Sequence, residues 1–168
     1  MNFDYLLPVD DALITYAKMQ PIISFGQSIE IHTAQNGFPS LENKKIAILG
    51  VQEDRVSVGN SGTGKDLDAI RKELYQLYPG NWPINVADLG NIQQGNTIED
   101  TYFALNELLS YLLKRGVIPV ILGGGQDLTY SNYRAYDLLE QTVNIVAVDS
   151  KFDLGSIEDE LTSQSYLS

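Results

Sequence analysis

Two short stretches gather most of the residues in this chain that could do chemistry. Gly123-Gly124-Gly125-Gln126-Asp127 follows the apolar run 117–122, and Asp149-Ser150-Lys151-Phe152-Asp153 follows the apolar run 144–148. Small residues let a backbone approach a ligand closely, and the second stretch puts two carboxylates around one ammonium. Unit charges at ~4 Å and an effective dielectric of ~20 interact by about 4 kcal/mol. Lys151 is therefore expected to pair with Asp149 or Asp153, which would otherwise repel each other. A third stretch, Gly59-Asn-Ser-Gly-Thr-Gly64-Lys65, has the Gly, four residues, Gly, Lys spacing of a phosphate-binding loop. That motif needs a Ser or Thr hydroxyl next, and Asp66 stands there instead. A nucleotide-binding α/β domain using Gly59 to Lys65 is the weaker of the readings on offer.

The elements that must position these residues alternate along the chain. Buried apolar runs near 45–50, 84–88, 117–122 and 144–149 read as strands. Helical patterns fill the gaps between them, over 66–78, from Thr97 to Gly116, and over 128–139. That order predicts an α/β fold, a three-layer αβα arrangement around a mainly parallel sheet. Chemistry in such sheets collects beyond the carboxyl ends of the strands. Gly50, Asp88, Gly123 and Asp149 fall there, so Gly123, Gly124, Gly125, Asp127 and Asp88 are the candidate cleft residues.

Local signals sharpen several elements. Thr97 and Asp100 have capping-box spacing, Ile98, Tyr102, Leu105, Leu109 and Leu112 make an apolar stripe, and Gly116 stops that helix. In 66–78 the stripe is Leu67, Ile70, Leu74 and Leu77, which leaves Arg71 on a solvated face. Asp127 is placed to cap the helix after it, on which Tyr130, Tyr133 and Tyr136 read as packing. Residues 8–20 suit a further helix capped by Asp10 or Asp11, and 28–33 a short edge strand. His32, the only histidine, lies on the polar phase of that strand and is expected to face solvent. Trp82 is expected to cap the core, and Asp88-Leu89-Gly90-Asn91 to form a turn.

At both strand ends the sequence resembles the arginase, agmatinase and formimidoylglutamase family, the ureohydrolases. Its members carry Gly-Gly-Asp-His-Ser after one strand and Asp-Ala-His-Ala-Asp after the next. The resemblance implies that the histidines and the two aspartates of the second motif help to hold two manganese ions, which activate a hydroxide for hydrolysis of C–N bonds in linear amidines. Aligned on the glycines, Gly125 stands where the family has Asp, Gln126 where it has the ligand His, and Asp127 where it has Ser. Asp149 and Asp153 match both ligand aspartates, and Lys151 replaces the second His. The family positions of the metal site are thus Gln126, Asp149, Lys151 and Asp153. Asp88-Leu-Gly-Asn and Ile70-Arg71 resemble family patterns too. The expectation is a ureohydrolase-like protein that has lost its binuclear centre and acts as a non-catalytic or altered homologue, with no cofactor in this chain. An active formimidoylglutamase-like hydrolase with manganese is the alternative. A further pair of family ligands lies in a second half that nothing after Leu154 resembles. The chain therefore reads as a single α/β domain, 1–168, the amino-terminal part of an incomplete arginase-like fold: lead-in 1–44, core 45–155, tail 156–168.

The totals set outer limits. With 168 residues, 43% hydrophobic and 20% charged, the chain can bury one core. A net charge of −11 speaks against nucleic acid or an anionic membrane as partner. No cysteine is present, no start resembles a signal peptide, and no apolar run nears the ~20 residues of a membrane span. Cytoplasmic localisation is the default expectation. A small molecule in the cleft and a homo-oligomer through an exposed sheet edge are the partners expected.

Overall fold

The computed structural model describes residues 3–82, 85–156 and 160–167. Its centre is a mainly parallel sheet. Strands β3 (Ile46–Val51), β4 (Val86–Ile92) and β5 (Ile118–Leu122) run parallel in the order β4-β3-β5, with Ile46 opposite both Val86 and Ile118. Two two-residue strands share the outer edge of β4. β1 (Leu6–Leu7) pairs antiparallel with Asn91–Ile92, and β2 (Glu30–Ile31) pairs parallel with Ala87–Asp88.

Helices cover both faces. α4 (Ile98–Leu113) and α5 (Leu128–Asp137) pack together over one face, where Leu105, Leu108, Leu109 and Leu112 meet Ala47, Leu49, Ala87 and Leu89. The opposite face carries α1 (Asp11–Met19), the single turn α2 (Phe25–Ser28) and α3 (Leu67–Gln76), with Val9, Leu13, Ala17 and Tyr75 as a smaller core. Among the described residues no helix is long and apolar enough to cross a membrane.

The start of α4 is the element that sequence chemistry dictates most directly. Thr97 Oγ1 accepts the Asp100 amide at 3.3 Å, and the Asp100 carboxylate accepts the Thr97 amide at 2.8 Å. Two otherwise orphaned donors are thereby satisfied. At the other end Gly116, with φ of 68°, takes the left-handed conformation that releases the chain into β5. The expected α1 is capped by Asp10, which accepts the Ala12 amide at 2.8 Å.

Several expectations are corrected. The buried stripe of α3 is Leu67, Arg71 and Tyr75, while Ile70 is half exposed and Leu77 exposed. The helix is rotated because Arg71 and Tyr75 find polar partners under it, which hydrophobic periodicity cannot register. Strand β4 does not end at Asp88 in a turn. It continues to Ile92 through a bulge, in which Ile48 and Gly50 of β3 stand opposite Asp88 and Asn91. In an unbroken strand, residues three apart point to opposite faces; the extra residue turns Asp88 and Asn91 to the same one. The expected beginning of this strand at Ile84 lies outside the described residues. Trp82 is 74% exposed and does not cap the core. His32 is half-buried: its Nδ1 lies 2.9 Å from the Leu89 carbonyl and its ring packs edge-on against Phe38. The α5 tyrosines lie at the margin of the packing, since Leu128, Ser131 and Ala135 form the buried face.

The largest correction concerns 144–149. This stretch forms no strand: among the described residues it has no backbone hydrogen-bond partner, and Val146 and Val148 are 87% and 100% exposed. A strand is stabilised by pairing and by cover on its faces. Neither reaches this stretch, so its apolar pattern alone does not order it.

Candidate functional site

A cleft of about 680 Å³ opens at the carboxyl ends of β3 and β5. The loop after β3 forms one wall with Ser57, Gly59, Asn60, Gly62, Thr63 and Asp66. The glycine loop Gly123, Gly124, Gly125 and Gln126 forms the floor, and Asp149, Lys151 and Asp153 with Ser163 and Gln164 close the third side. The structure thus collects Gly123 to Gln126 and Asp149 to Asp153 in one cavity, as parallel-sheet topology requires.

Glu53 sets the floor. Its backbone carbonyl accepts the Gly125 amide at 2.8 Å, while its carboxylate is fully buried. That carboxylate is held by the guanidinium and backbone amide of Arg55, by Thr101 Oγ1 at 2.9 Å and by Gln94 Nε2 at 3.3 Å. Arg55 also donates to the Asn96 and Thr97 carbonyls, tying the β3 loop to the start of α4. Burial alone would raise the Glu53 carboxyl, but the Arg55, Thr101 and Gln94 donors prevail and lower it from 4.5 to about 2. A depressed carboxyl stabilises the fold above its unfolded value, and that contribution fades as pH falls from about 4.5 towards about 2. Glu53→Gln is therefore expected to lose up to about 3 kcal/mol at pH 7. The deficit should shrink below pH 4.5, as read from urea unfolding at stepped pH.

Asp127 does not cap α5 through its side chain. Its carboxyl is buried under the glycine loop, where Oδ2 accepts the Tyr102 hydroxyl at 2.7 Å and Oδ1 has no hydrogen-bond partner among the described residues. Burial first, and the Glu53 charge as well, push this carboxyl up against the lowering effect of Tyr102. A Cβ at Gly125 would lie 2.0 Å from Asp127 Oδ1 and 2.5 Å from Ser57 Oγ. The Asp127 carboxyl therefore fills the side-chain volume that Gly125 leaves empty.

Gln126 is exposed at the rim, its Nε2 donating to the Tyr166 hydroxyl at 3.3 Å. Tyr166 is itself buried, and its segment docks through Val58 N–H to Ser163 Oγ at 2.9 Å and Leu167 N–H to the Asp153 carbonyl at 3.2 Å. Within the expected tail 156–168, the described residues 160–167 are seated through scattered hydroxyls, which no local periodicity announces. Asp153 is buried, whereas Asp149 and Lys151 are exposed. The expected ion pair is not formed: no salt bridge joins the Lys151 ammonium to Asp149 or Asp153 among the described residues. Asp149 Oδ1 instead accepts the Lys151 backbone amide at 3.3 Å and the Ser150 hydroxyl at 3.4 Å. Water solvates both exposed charges, which leaves little gain from immobilising the lysine.

Asp88 lies away from the cleft. Its carboxylate is fully buried beneath α3 and takes Arg71 Nε at 2.8 Å, Arg71 Nη2 at 3.0 Å and the Tyr75 hydroxyl at 2.8 Å. Arg71 is equally buried and gives Nη1 to Asn91 Oδ1 at 2.7 Å and Nη2 to the Gly90 carbonyl at 2.9 Å. Gly50 makes this possible, since a Cβ there would stand 2.0 Å from Asn91 Oδ1. Sequence periodicity missed the pair; the one available signal was a charge at i+4 from Leu67 on an otherwise apolar stripe.

The phosphate-loop spacing fails on geometry as well as on Asp66. The Gly62 and Gly64 amides both point at the Asp54 carboxylate, so the donors that would cradle a phosphate are already engaged by an anion. Among the described residues no three His, Cys, Asp or Glu side chains stand together as a metal-ligand set.

A family model described as the arginase family matches residues 44–166. This chain belongs to the arginase family. The formimidoylglutamase of Macrococcus caseolyticus is 29% identical over 123 residues, covering 70% of this chain and 39% of its own length. That of Streptococcus gordonii is 26% identical over 161 residues, covering 91% and 47%. A crystal structure of Trypanosoma cruzi formiminoglutamase with Mn2+2 superposes with a TM-score of 0.67 at 27% identity, over 76% of this chain and 48% of that one. A hypothetical agmatinase from Burkholderia thailandensis shares the fold, with a TM-score of 0.69 at 18% identity over 89% and 49%. The chain spans less than half the length of these curated relatives. The fold is thus an incomplete arginase-like α/β fold, and the protein is formimidoylglutamase-like.

Proposed function

We propose that this chain is the amino-terminal part of a formimidoylglutamase-like protein whose cleft accepts a small molecule without running binuclear manganese hydrolysis. The carrying observation is the donor set around the cleft. The family's two histidine positions hold Gln126, whose amide nitrogen is on Tyr166, and Lys151, whose ammonium has no lone pair to give. Asp149 and Asp153 remain, one exposed and one buried. An ammonium repels a cation and offers no lone pair, and an amide oxygen is a weak neutral donor, so this set, with only two carboxylates, does not fit a pair of divalent cations. Chemistry that depends on a metal-bound hydroxide then has no support in this part of the fold. A cytoplasmic location completes the reading.

The test is elemental analysis after manganese loading, with turnover assays on arginine, agmatine and formimidoylglutamate. The expected result is well under one manganese per chain and no turnover. Near-stoichiometric manganese, with turnover lost in Asp149→Ala, would overturn the proposal. That outcome is the second reading, an active amidine hydrolase, and the structural likeness to a manganese-containing formiminoglutamase favours it.

A further inference from the structure

We infer that two copies of this chain associate through an uncharged apolar face at the amino ends of the strands, the end of the sheet opposite the cleft. Two loops build it. Met19, Ile22 and Ile23 lie where α1 runs into α2, and Leu77, Tyr78 and Trp82 lie where α3 leads towards β4. The Phe25 amide ties the loops together by donating to the Leu77 carbonyl at 2.7 Å, and beside it the Tyr16 hydroxyl donates to Gln76 Oε1 at 3.2 Å. All six side chains are 55–86% exposed. Side chains of this size leave on the order of 800 Å² open, and each partner of a standard interface contributes about 800 Å². Apolar residues scattered singly over a surface need no explanation, but a joined group of this extent marks a contact.

Charge decides the occupant. Residues 19–29 and 74–87 contain no charged side chain, in a chain where 20% of residues are charged and the net charge is −11. A chain so acidic repels its own copy over most of its surface, and this face is where that repulsion has no local source. Charged residues resume at Lys18, Lys72 and Glu73, so the apolar centre is bordered by both signs. Depletion of charge with Met, Tyr and Trp present characterises the buried centre of an interface. Such a face complements itself across a two-fold axis.

The face does not depend on the open side of the sheet. α3 lies under β4, where Arg71 and Tyr75 reach Asp88, and β1 and β2 already take up the outer edge of β4. Further strands can join only at β5, with β3 and β4 between them and this face.

Trp82 is the single tryptophan of the chain, so its fluorescence reports this face alone. Sedimentation velocity over a concentration series, at low and high salt, reads the assembly. The expected result is a dimer that tightens as salt screens the net charge. As concentration rises, Trp82 emission should move to shorter wavelength and its quenching by acrylamide should fall. Ile22→Asp/Ile23→Asp should weaken the dimer at least tenfold. Both side chains are exposed in one copy, so an unchanged thermal melt at low concentration confirms that the fold is intact. Val146→Asp/Val148→Asp, on the α5 side, should leave the dimer unaltered. A monomer throughout the series overturns the inference, as does a dimer whose Trp82 stays as open to acrylamide as in the monomer. A dimer indifferent to Ile22→Asp/Ile23→Asp, or lost with Val146→Asp/Val148→Asp, places the contact elsewhere and overturns it too.

Discussion

Asp88→Ala is expected to destabilise the protein by about 3–5 kcal/mol, a large share of the total stability of a domain this size. Arg71 is fully buried, and its guanidinium meets Asp88 side-on through two nitrogens. Removing the carboxylate leaves that charge without a counter-ion in a site water does not reach. It also strands the Tyr75 hydroxyl and the Gly90 amide, which both donate to Asp88. Burial pushes the Tyr75 hydroxyl far above its usual range, with the Asp88 charge adding to it, so ionisation offers no escape.

The converse change, Arg71→Met, should cost a similar amount, because Asp88, Asn91 Oδ1 and the Gly90 carbonyl all lose donors. The two effects should not add. Once one partner is gone, removing the other relieves a buried charge, so Arg71→Met/Asp88→Ala should cost less than the sum of the single changes. It should not return to wild-type stability, since Asn91 and Tyr75 remain unsatisfied at about 1–3 kcal/mol each. Urea midpoints for the four proteins decide the matter. A single substitution costing under about 1 kcal/mol would show that the pair is not desolvated as described.

This network also marks where the sequence stopped being legible. β3, β5 and α4 were readable because their signals are local: apolar runs of strand length, a Thr97–Asp100 capping box and a terminating Gly116. The parallel sheet followed from the alternation of such elements. The inward face of α3 was not readable, since a buried arginine looks like a surface arginine until its acceptors are known. Those acceptors lie across a bulge that brings Asp88 and Asn91 to one side, and a bulge leaves no trace in hydropathy. The 144–149 run misled in the opposite sense, its composition being right for a strand while pairing decides whether one forms. The cleft was legible as a place, through Gly123 to Gln126 and Asp149 to Asp153. Its internal order was not: Glu53, Arg55 and Tyr166 hold it through contacts distant in sequence, and Lys151 declines the ion pair that proximity in sequence suggested.

Gly125→Asp, the change that restores one family residue to the glycine loop, is expected to destabilise the protein by more than about 3 kcal/mol. Overpacking alone costs about 1–3 kcal/mol, and here a Cβ would meet Asp127 Oδ1 at 2.0 Å and Ser57 Oγ at 2.5 Å. Asp127 cannot move aside freely, because its other oxygen is held by Tyr102 on α4. The new carboxylate would also sit against a carboxyl that burial already pushes up, adding like-charge repulsion where water is excluded. Asp127→Ser in the same chain removes the obstruction and should recover most of the loss, although alone it costs the Tyr102 bond. The four proteins of this cycle should therefore show a coupling of about 2–3 kcal/mol, read from chemical denaturation. If Gly125→Asp is tolerated within about 1 kcal/mol while Asp127 is present, Asp127 does not hold that volume. The coupling bears on the proposed absence of a binuclear centre. The resembling family motif has Asp, His and Ser where this chain has Gly125, Gln126 and Asp127, and such a coupling would make the first and third differences two halves of one exchange, a carboxylate placed two residues along the loop in the same space. Restoring histidine at Gln126 and Lys151 alone would rebuild imidazole donors on a loop whose acidic residue comes from the wrong position, so manganese affinity should return further when Gly125→Asp and Asp127→Ser accompany them.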